Sequence, residues 1–333
     1  MMAKAIALFS GGLDSTLAIL QMMKYGVEVE AITFLTHFGC DATDSSSCGS
    51  DPYPAAKKFG FKVKLCHLGE KFVEIVKNPR FGHGKNLNPC IDCRLIMLKE
   101  ANEYMKMTGG DFIITGEVTG QRPMSQRRFA LDLITRECGL DNRLVRPLSG
   151  RLLPPTLPEK EGLIMRDWLL DIEGRSRKRQ MALAKEFGLT EYPNPAGGCL
   201  LTDEGYSNKL QDMLKGRPDI DFNDLNLLRA GRYFRLGPKS LLVVGRNEAE
   251  NNTLESLYRA GDIKLGAPDF KYPIGLLRGY SDNNILDMAA SIVARYSDGN
   301  NESKIKIIFE GLSDRGEMET SPAKQSLLNS VRI

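Results

Sequence analysis

The chain has 333 residues, 42% of them apolar and 26% charged, a composition that suits globular domains with real cores. That length exceeds one typical domain, so two or three are expected, and no run of about 18 apolar residues suggests a membrane span. A net charge of +3 neither demands nor excludes a nucleic-acid partner, so what matters is where positive charge gathers.

The opening stretch MMAKAIALFSGG is too short in its apolar part for a signal peptide and has no small-residue cleavage site. Residues 4–9 are therefore expected to form a buried first strand, and the protein to be cytoplasmic with no membrane partner. Helix-period residues Leu13, Leu17, Ile19 and Leu20 follow, then a second buried strand over 28–35. Residues 36–54 read as a loop, 53–60 as a helix and 61–66 as a strand. A Gly-, Asn- and Pro-rich loop spans 78–92, a helix 93–107, and strands 111–115 and 142–147. Short apolar strands alternating with helices predict an α/β fold, a doubly wound parallel sheet, over residues 1–150.

Beyond the prolines at 154, 155 and 158, residues 151–200 read as a helical extension. Its helix at 175–188 has a basic start and leads to a glycine-rich loop carrying Cys199. From about 203 the pattern changes to a smaller α+β domain, taken as 201–311. It has a helix near 203–215, strands at 232–236, 240–246, 262–265 and 273–278, a helix at 283–296 and a strand at 304–309. Residues 312–333 are polar without periodicity and are expected to be a loosely ordered tail.

Ser10-Gly11-Gly12-Leu13-Asp14-Ser15 stands between the first strand and the first helix. Paired glycines let the backbone turn tightly and present N–H groups to an anion, and the helix adds its positive end. Ser10 and Ser15 add hydroxyl donors, and Asp14 is placed to hold Mg²⁺ or polarise the loop. A bare glycine turn is the alternative. The full SGGLDS string resembles the signature of the PP-loop ATP pyrophosphatase superfamily, with its adenine-nucleotide alpha-hydrolase-like fold. That resemblance implies ATP cleavage to AMP and pyrophosphate, with the nucleotide at the carboxyl ends of the strands and Thr33 and Phe34 touching adenine or ribose. No GxxxxGK[ST] string occurs, so an ordinary P-loop NTPase is not indicated.

Seven cysteines in a compartment that keeps thiols reduced point to metal or redox chemistry more than to disulfides. Asn88-Pro89-Cys90-Ile91-Asp92-Cys93 lies just before a helix, a spacing that lets both sulfurs reach one metal centre, with Arg94 beside them favouring thiolate. Cys199 follows a second glycine pair. Three readings stand on the residues alone: a catalytic or cluster site, structural zinc, or an incidental pair. Asn88-Pro89 with Cys93 resembles the active-site segment of the tRNA 2-thiouridylase family, in which a later cysteine carries the persulfide. Thr115-Gly116-Glu117 with Gly120-Gln121 and Ser125-Gln126 resembles the post-strand motif of the tRNA 4-thiouridine synthetase family. That resemblance brings Gly116 and Gln121 into the expected nucleotide-binding set with Ser10, Gly11, Gly12, Asp14, Ser15, Thr33 and Phe34. Cys90 stands where the thiouridylases usually have Asp, and the extra cysteine is similar to thiolases that hold a [4Fe-4S] cluster by three cysteines. The resemblance thus implies Cys90, Cys93 and Cys199 as iron ligands, or Cys93 and Cys199 as a persulfide pair, with Asp14 as the further catalytic residue.

The implied activity is ATP-dependent thiolation of a tRNA uridine. Thiolation or amidation of a small metabolite, and non-catalytic nucleotide or RNA binding, are the rivals. No THUMP-like or rhodanese-like segment is legible, so sulfur is expected from elsewhere, from a cysteine desulfurase or free sulfide. Basic residues gather at Arg122, Arg127, Arg128 and Arg136, at Arg175, Arg177, Lys178 and Arg179, and around Arg232 and Arg235. They are expected to meet the RNA backbone, with Tyr233 and Phe234 between the last two suited either to base stacking or to a strand's inner face. That last region loosely resembles the RNA-binding module of the NFACT family. Cys40 and Cys48 are a weaker candidate metal pair, whereas Cys66 and Cys138 read as core.

Overall fold

A computed structural model describes residues 2–38, 51–192, 199–217, 219–270, 273–311 and 314–333. The stretch with Cys40 and Cys48, and the glycine pair before Cys199, lie outside the described residues. The chain divides into two compact units, Met1–Asp203 and Glu204–Ile333.

The first unit runs β1 (Lys4–Leu8), α1 (Leu13–Met23), β2 (Glu28–Leu35), α2 (Tyr53–Phe59), β3 (Lys62–His67), α3 (Gly69–Lys77), α4 (Cys90–Thr108), β4 (Phe112–Thr115), α5 (Arg128–Glu137), β5 (Leu144–Val145), α6 (Leu157–Lys160) and α7 (Lys178–Glu186). Its five strands form a parallel sheet in the order β3-β2-β1-β4-β5. Apolar residues on both faces of β1 and β4 explain why these strands read as continuous runs in the sequence: helices cover both sides. One core cluster joins Ala5, Ala7 and Phe9 to Phe61, Phe112 and Val145. A second joins Leu13, Leu17 and Ala18 of α1 to Ala184 of α7 and Ile172.

The chain builds outward from β1 through β2 to β3, then crosses to β4 and β5 on the other side. This makes β1 and β4 the point where the winding reverses, the place where open α/β sheets leave a crevice at their carboxyl ends. Leu8 is in register with Ile32 on one side and Thr115 on the other, so the residues after all three strands share one edge.

The second unit runs α8 (Glu204–Gly216), α9 (Phe222–Leu227), β6 (Arg232–Arg235), β7 (Leu241–Val244), α10 (Glu248–Ser256), β8 (Ile263–Gly266), β9 (Ile274–Arg278), α11 (Asn283–Tyr296), β10 (Ile305–Gly311), β11 (Asp314–Thr320) and α12 (Gln325–Val331). Its strands form an antiparallel sheet in the order β11-β10-β8-β9-β7-β6. Ile285, Ala289, Ile292 and Val293 of α11 share one core with Phe234, Leu242, Leu265 and Leu277 of the sheet.

The expectation of a loosely ordered tail over 312–333 is overturned. β11 pairs with β10 along its whole length, from Ile305↔Thr320 to Gly311↔Asp314. Its side chains are mostly polar because this hairpin is held by the backbone ladder and by pairs such as Lys306–Glu317 at 2.6 Å. α12 then buries Leu328, only 4% exposed, in the unit's core. No described helix is long and apolar enough to cross a membrane.

Candidate active site

The SGGLDS segment forms the turn from β1 into α1 at the crevice. Gly11 has φ +71°, a left-handed conformation that a side chain would strain. Gly12 caps α1 without a side-chain hydrogen bond. A Cβ at Gly12 would meet nothing tighter than Ser10 Oγ at 3.4 Å, so packing does not require this glycine; its bareness leaves the positive end of α1 open. The Ser10 N–H donates to Ser15 Oγ at 3.3 Å, and Ser15 Oγ donates to the Gly12 carbonyl at 2.9 Å, which fixes the loop on itself.

Gly116 plays a different part. A Cβ there would come within 2.5 Å of Ser15 N and 2.6 Å of the Asp14 carbonyl carbon, so only glycine lets the end of β4 close on the loop. The next residue, Glu117, is 1% exposed and lies between two arginines. Arg146 donates to it at 2.8 Å and Thr115 Oγ1 at 3.1 Å, while Arg94 forms an ion pair at 3.1 Å without hydrogen-bond alignment. Burial alone would raise the Glu117 pKa, but Arg146 and Arg94 outweigh it and hold the carboxyl below its usual range. Because Arg94 follows Cys93, this buried triad anchors the first turn of α4 to the nucleotide crevice.

Gln121 binds the loop directly. Its Nε2 donates to Asp14 Oδ2 at 2.7 Å, and its Oε1 accepts from Gln180 Nε2 of α7 at 3.2 Å. Gln180 is 0% exposed, and it was not singled out in the sequence. Asp14 Oδ1, Gln180 Oε1 and Thr33 Oγ1 are all buried without a hydrogen-bond partner among the described residues. Buried acceptors left open in this way point to a ligand that carries donors or a cation. Phe34, beside Thr33 on β2, is buried in the strand.

Cys90 and Cys93 are half-buried on the first turn of α4. Their loop is held from behind by Asp92, whose buried carboxylate accepts from the N–H groups of Arg80 at 3.1 Å and Phe81 at 3.0 Å. An acidic residue in a first turn is ordinary in sequence, so nothing there announced this contact 11 and 12 residues back. Cys199 is half-buried at the start of a short helical turn. Its carbonyl accepts from Thr202 Oγ1 at 2.7 Å, and the Thr202 carbonyl accepts from Asn86 Nδ2 at 2.9 Å. The Cys199 segment is thereby tied to the loop that precedes Cys90. Among the described residues no group of three His, Cys, Asp or Glu side chains is placed to hold a single metal ion. An iron–sulfur cluster asks something different of its ligands, since each thiolate meets its own iron. Three thiols on two loops joined by hydrogen bonds are a donor set of the right chemistry for it.

The basic candidates divide. Arg128 is spent on Asp132 and the Leu152 carbonyl, and Arg179 on Asp171. Arg127, Arg175 and Lys178 are exposed, and Arg177 is half-buried with Nε lacking a partner among the described residues. In the second unit Arg235 is bound by Asp212 at 2.7 Å, and Arg232 lies over the Tyr296 ring at 4.4 Å from its centroid. Tyr233 and Phe234 are buried, Phe234 in the core and Tyr233 with its hydroxyl on Asp212. The base-stacking reading of this pair is therefore set aside. Both faces of β6 are covered, so neither ring is open to a base.

Residues 1–151 match the model of the family described as thiamine biosynthesis protein (ThiI), and residues 231–330 match that of the NFACT protein RNA binding domain. A probable tRNA sulfurtransferase of Thermococcus kodakarensis is 30% identical over 156 residues, which cover 44% of this chain and 37% of that protein. The tRNA-specific 2-thiouridylase MnmA of Leptospira interrogans is 28% identical over 125 residues, 34% of this chain and 33% of that one. The chain thus spans about a third of the length of these curated relatives. A crystal structure of a 4-thiouridine synthetase–RNA complex with bound ATP superposes with a TM-score of 0.35 at 18% identity, covering 56% of this chain and 52% of that one. The resemblances read from the motifs hold: the first unit is similar to tRNA thiouridine synthetases of the PP-loop type, and the second to the RNA-binding domain of NFACT proteins.

Proposed function

We propose that this chain is an ATP-dependent tRNA-uridine sulfurtransferase. The observation that carries the reading is the crevice itself: a phosphate loop with open buried acceptors on one side and, tied to it through Arg94 and Glu117, the helix turn that bears Cys90 and Cys93. The similarity of residues 1–151 to tRNA sulfurtransferases supplies the substrate class.

ATP lies with its pyrophosphate on the N–H groups of the SGGLDS turn and the positive end of α1. Asp14 Oδ1, Thr33 Oγ1 and Gln180 Oε1 receive the nucleotide's hydroxyls and the water around its Mg²⁺. A uracil carbonyl oxygen attacks the α-phosphorus, the bond to the β-phosphate breaks, and pyrophosphate leaves into the loop, whose backbone dipoles stabilise the developing charge. The ring carbon now bears an oxygen that departs as AMP when sulfur attacks. Cys90, Cys93 and Cys199 would hold a [4Fe-4S] cluster, which when bound supplies the sulfur nucleophile. In the persulfide version, the outer sulfur on Cys199 attacks the ring carbon and Cys93 displaces it from Cys199, leaving a disulfide for external thiols to reduce. Arg127, Arg175, Arg177 and Lys178 face the RNA backbone. Free sulfide feeds the cluster version, whereas in the persulfide version a cysteine desulfurase's own persulfide passes its outer sulfur to the Cys199 thiol and leaves as a thiol. Such an enzyme works in the cytoplasm, where tRNA and reduced thiols coexist.

Nucleoside mass spectrometry of a tRNA transcript incubated anaerobically with the protein, Mg·ATP and sulfide tests the proposal. Thiouridine that disappears with Cys199→Ala is the expected result; an unmodified transcript under conditions where a small carbonyl compound consumes ATP would overturn it. A visible iron–sulfur absorption band that weakens in Cys199→Ala selects the cluster version, and a colourless protein that thiolates the transcript only when a cysteine desulfurase and cysteine replace sulfide selects the persulfide.

A further inference from the structure

Between the nucleotide loop and the cysteine loop lies a turn of which the reaction scheme uses only Gln121, and Arg127 at its end. Gln121, hydrogen-bonded to Asp14, opens a tight turn closed by Gly120 N–H to the Gln126 carbonyl at 2.6 Å and Gln126 N–H to the Arg122 carbonyl at 3.1 Å. At its tip Met124 leans on the other loop: a Cβ at Gly84 would meet Met124 Cε at 3.0 Å and Cγ at 3.3 Å. Gly84 in turn donates to the Asn88 carbonyl at 2.8 Å, two residues before Cys90. The turn is therefore fixed at one end to the phosphate loop and at the other to the thiols.

On this bracketed turn and the start of α5, apolar surface is displayed instead of buried. Phe129 is 77% exposed, and Met124 is exposed as well. Arg122 on the turn and Arg127 at the start of α5 are exposed and without an ion-pair partner among the described residues, whereas neighbouring Arg128 is held by Asp132. The remaining face of α5 follows the usual rule, with Ala130, Leu131, Leu133 and Ile134 buried. An exposed aromatic ring with unpaired guanidinium groups on the same turn and helix start suits an unpaired nucleotide, since any base offers a π-face to the ring and its phosphate a charge to the arginines.

We infer that Phe129 at the start of α5, together with Met124, Arg122 and Arg127 of the same turn, is the seat for an unpaired RNA base next to the reacting uridine. The inference rests on the tRNA reading above and deepens it. It also explains why Phe129 is left exposed beside the crevice: stacking the neighbouring base holds the target strand across the line from nucleotide to thiol.

The experiment measures affinity for a tRNA transcript, and separately for Mg·ATP, in the full chain carrying Phe129→Ala, Phe129→Tyr or Phe129→Trp. Phe129→Ala should weaken transcript binding about tenfold, the scale of one lost stack, and raise KM for RNA more than it lowers kcat. Mg·ATP binding should be unchanged, which also shows that the variant is folded. Phe129→Tyr should restore wild-type affinity, and the fluorescence of Phe129→Trp should be quenched by the transcript but not by a blunt RNA duplex. Wild-type affinity in Phe129→Ala would overturn the inference and hand the patch to a protein partner. Wild-type protein that binds no RNA at all would instead sink the tRNA reading.

Discussion

Each unit buries charged and polar groups, but the Arg278 network of the second unit and the crevice network of the first are built in opposite ways. In the second unit Arg278, 2% exposed, has its guanidinium closed by Asp262 at 2.7 Å, Asp224 at 2.8 Å and the Leu257 carbonyl at 3.0 Å. Asp224 receives Arg259 as well. Nothing in that guanidinium is left open, and the network ties α9 and the loop before β8 to the sheet. In the crevice of the first unit, Asp14, Gln121 and Gln180 form a one-way chain of donors and acceptors that ends on open oxygens. A closed network of buried charge holds architecture together, whereas an open one marks where a ligand completes the structure.

The sharpest way to break this contrast is at Arg278. Arg278→Met strands the Asp262 carboxylate in the core and should lower stability by about 3–5 kcal/mol in chemical denaturation of the second unit, with Mg·ATP binding unaffected. A loss under about 1 kcal/mol would contradict the closed-network reading. In the crevice the deficit should appear in function. Asp14→Asn keeps the shape but removes the charge, and AMP formation should fall by about 10²–10³ with little change in thermal midpoint; a folded variant with full activity would rule out the assigned role. Next comes Gln180→Leu, which fills the same space without polar atoms. Calorimetry should show Mg·ATP affinity falling about tenfold, the worth of one hydrogen bond to a charged partner, while unliganded stability changes little, because the open Oε1 is lost together with the hydrogen bond from Nε2 to Gln121.

The smallest effect is the pH dependence of Glu117. Its folded pKa lies below its unfolded value of about 4.3, so its contribution is fully present above that value and fades as pH falls through the folded pKa. Glu117→Gln should therefore be less stable near neutrality and show a shallower acid loss below about pH 4.3. A parallel acid profile would mean that another carboxylate dominates.

Much of the first sheet was legible because a strand buried on both faces has to be apolar throughout, as in Lys4–Leu8 and Phe112–Thr115. The phosphate loop was legible because its residues are contiguous. What escaped depends on distance along the chain. Gln121 and Gln180 meet across 59 residues, and no local pattern marks either as a partner. The short helices α3 and α9 were missed, as was β11, whose alternation is hidden because its side chains are mostly polar and its backbone does the pairing. Arg235 looked like a free cation because Asp212, its partner, stands 23 residues back on another element. Gly116 was expected to touch nucleotide, and the structure adds a packing reason for it, since a Cβ there would meet the backbone of Asp14 and Ser15.

The central claim is that the glycine turn cleaves ATP between its α- and β-phosphates when RNA is present. A single-turnover reaction of the protein with ATP labelled at the α-phosphate and a tRNA transcript tests it most directly. The account predicts labelled AMP with an equal amount of pyrophosphate, and a transient label on the RNA when sulfide is withheld. Labelled ADP with inorganic phosphate, or AMP formed at the same rate without RNA, would contradict it.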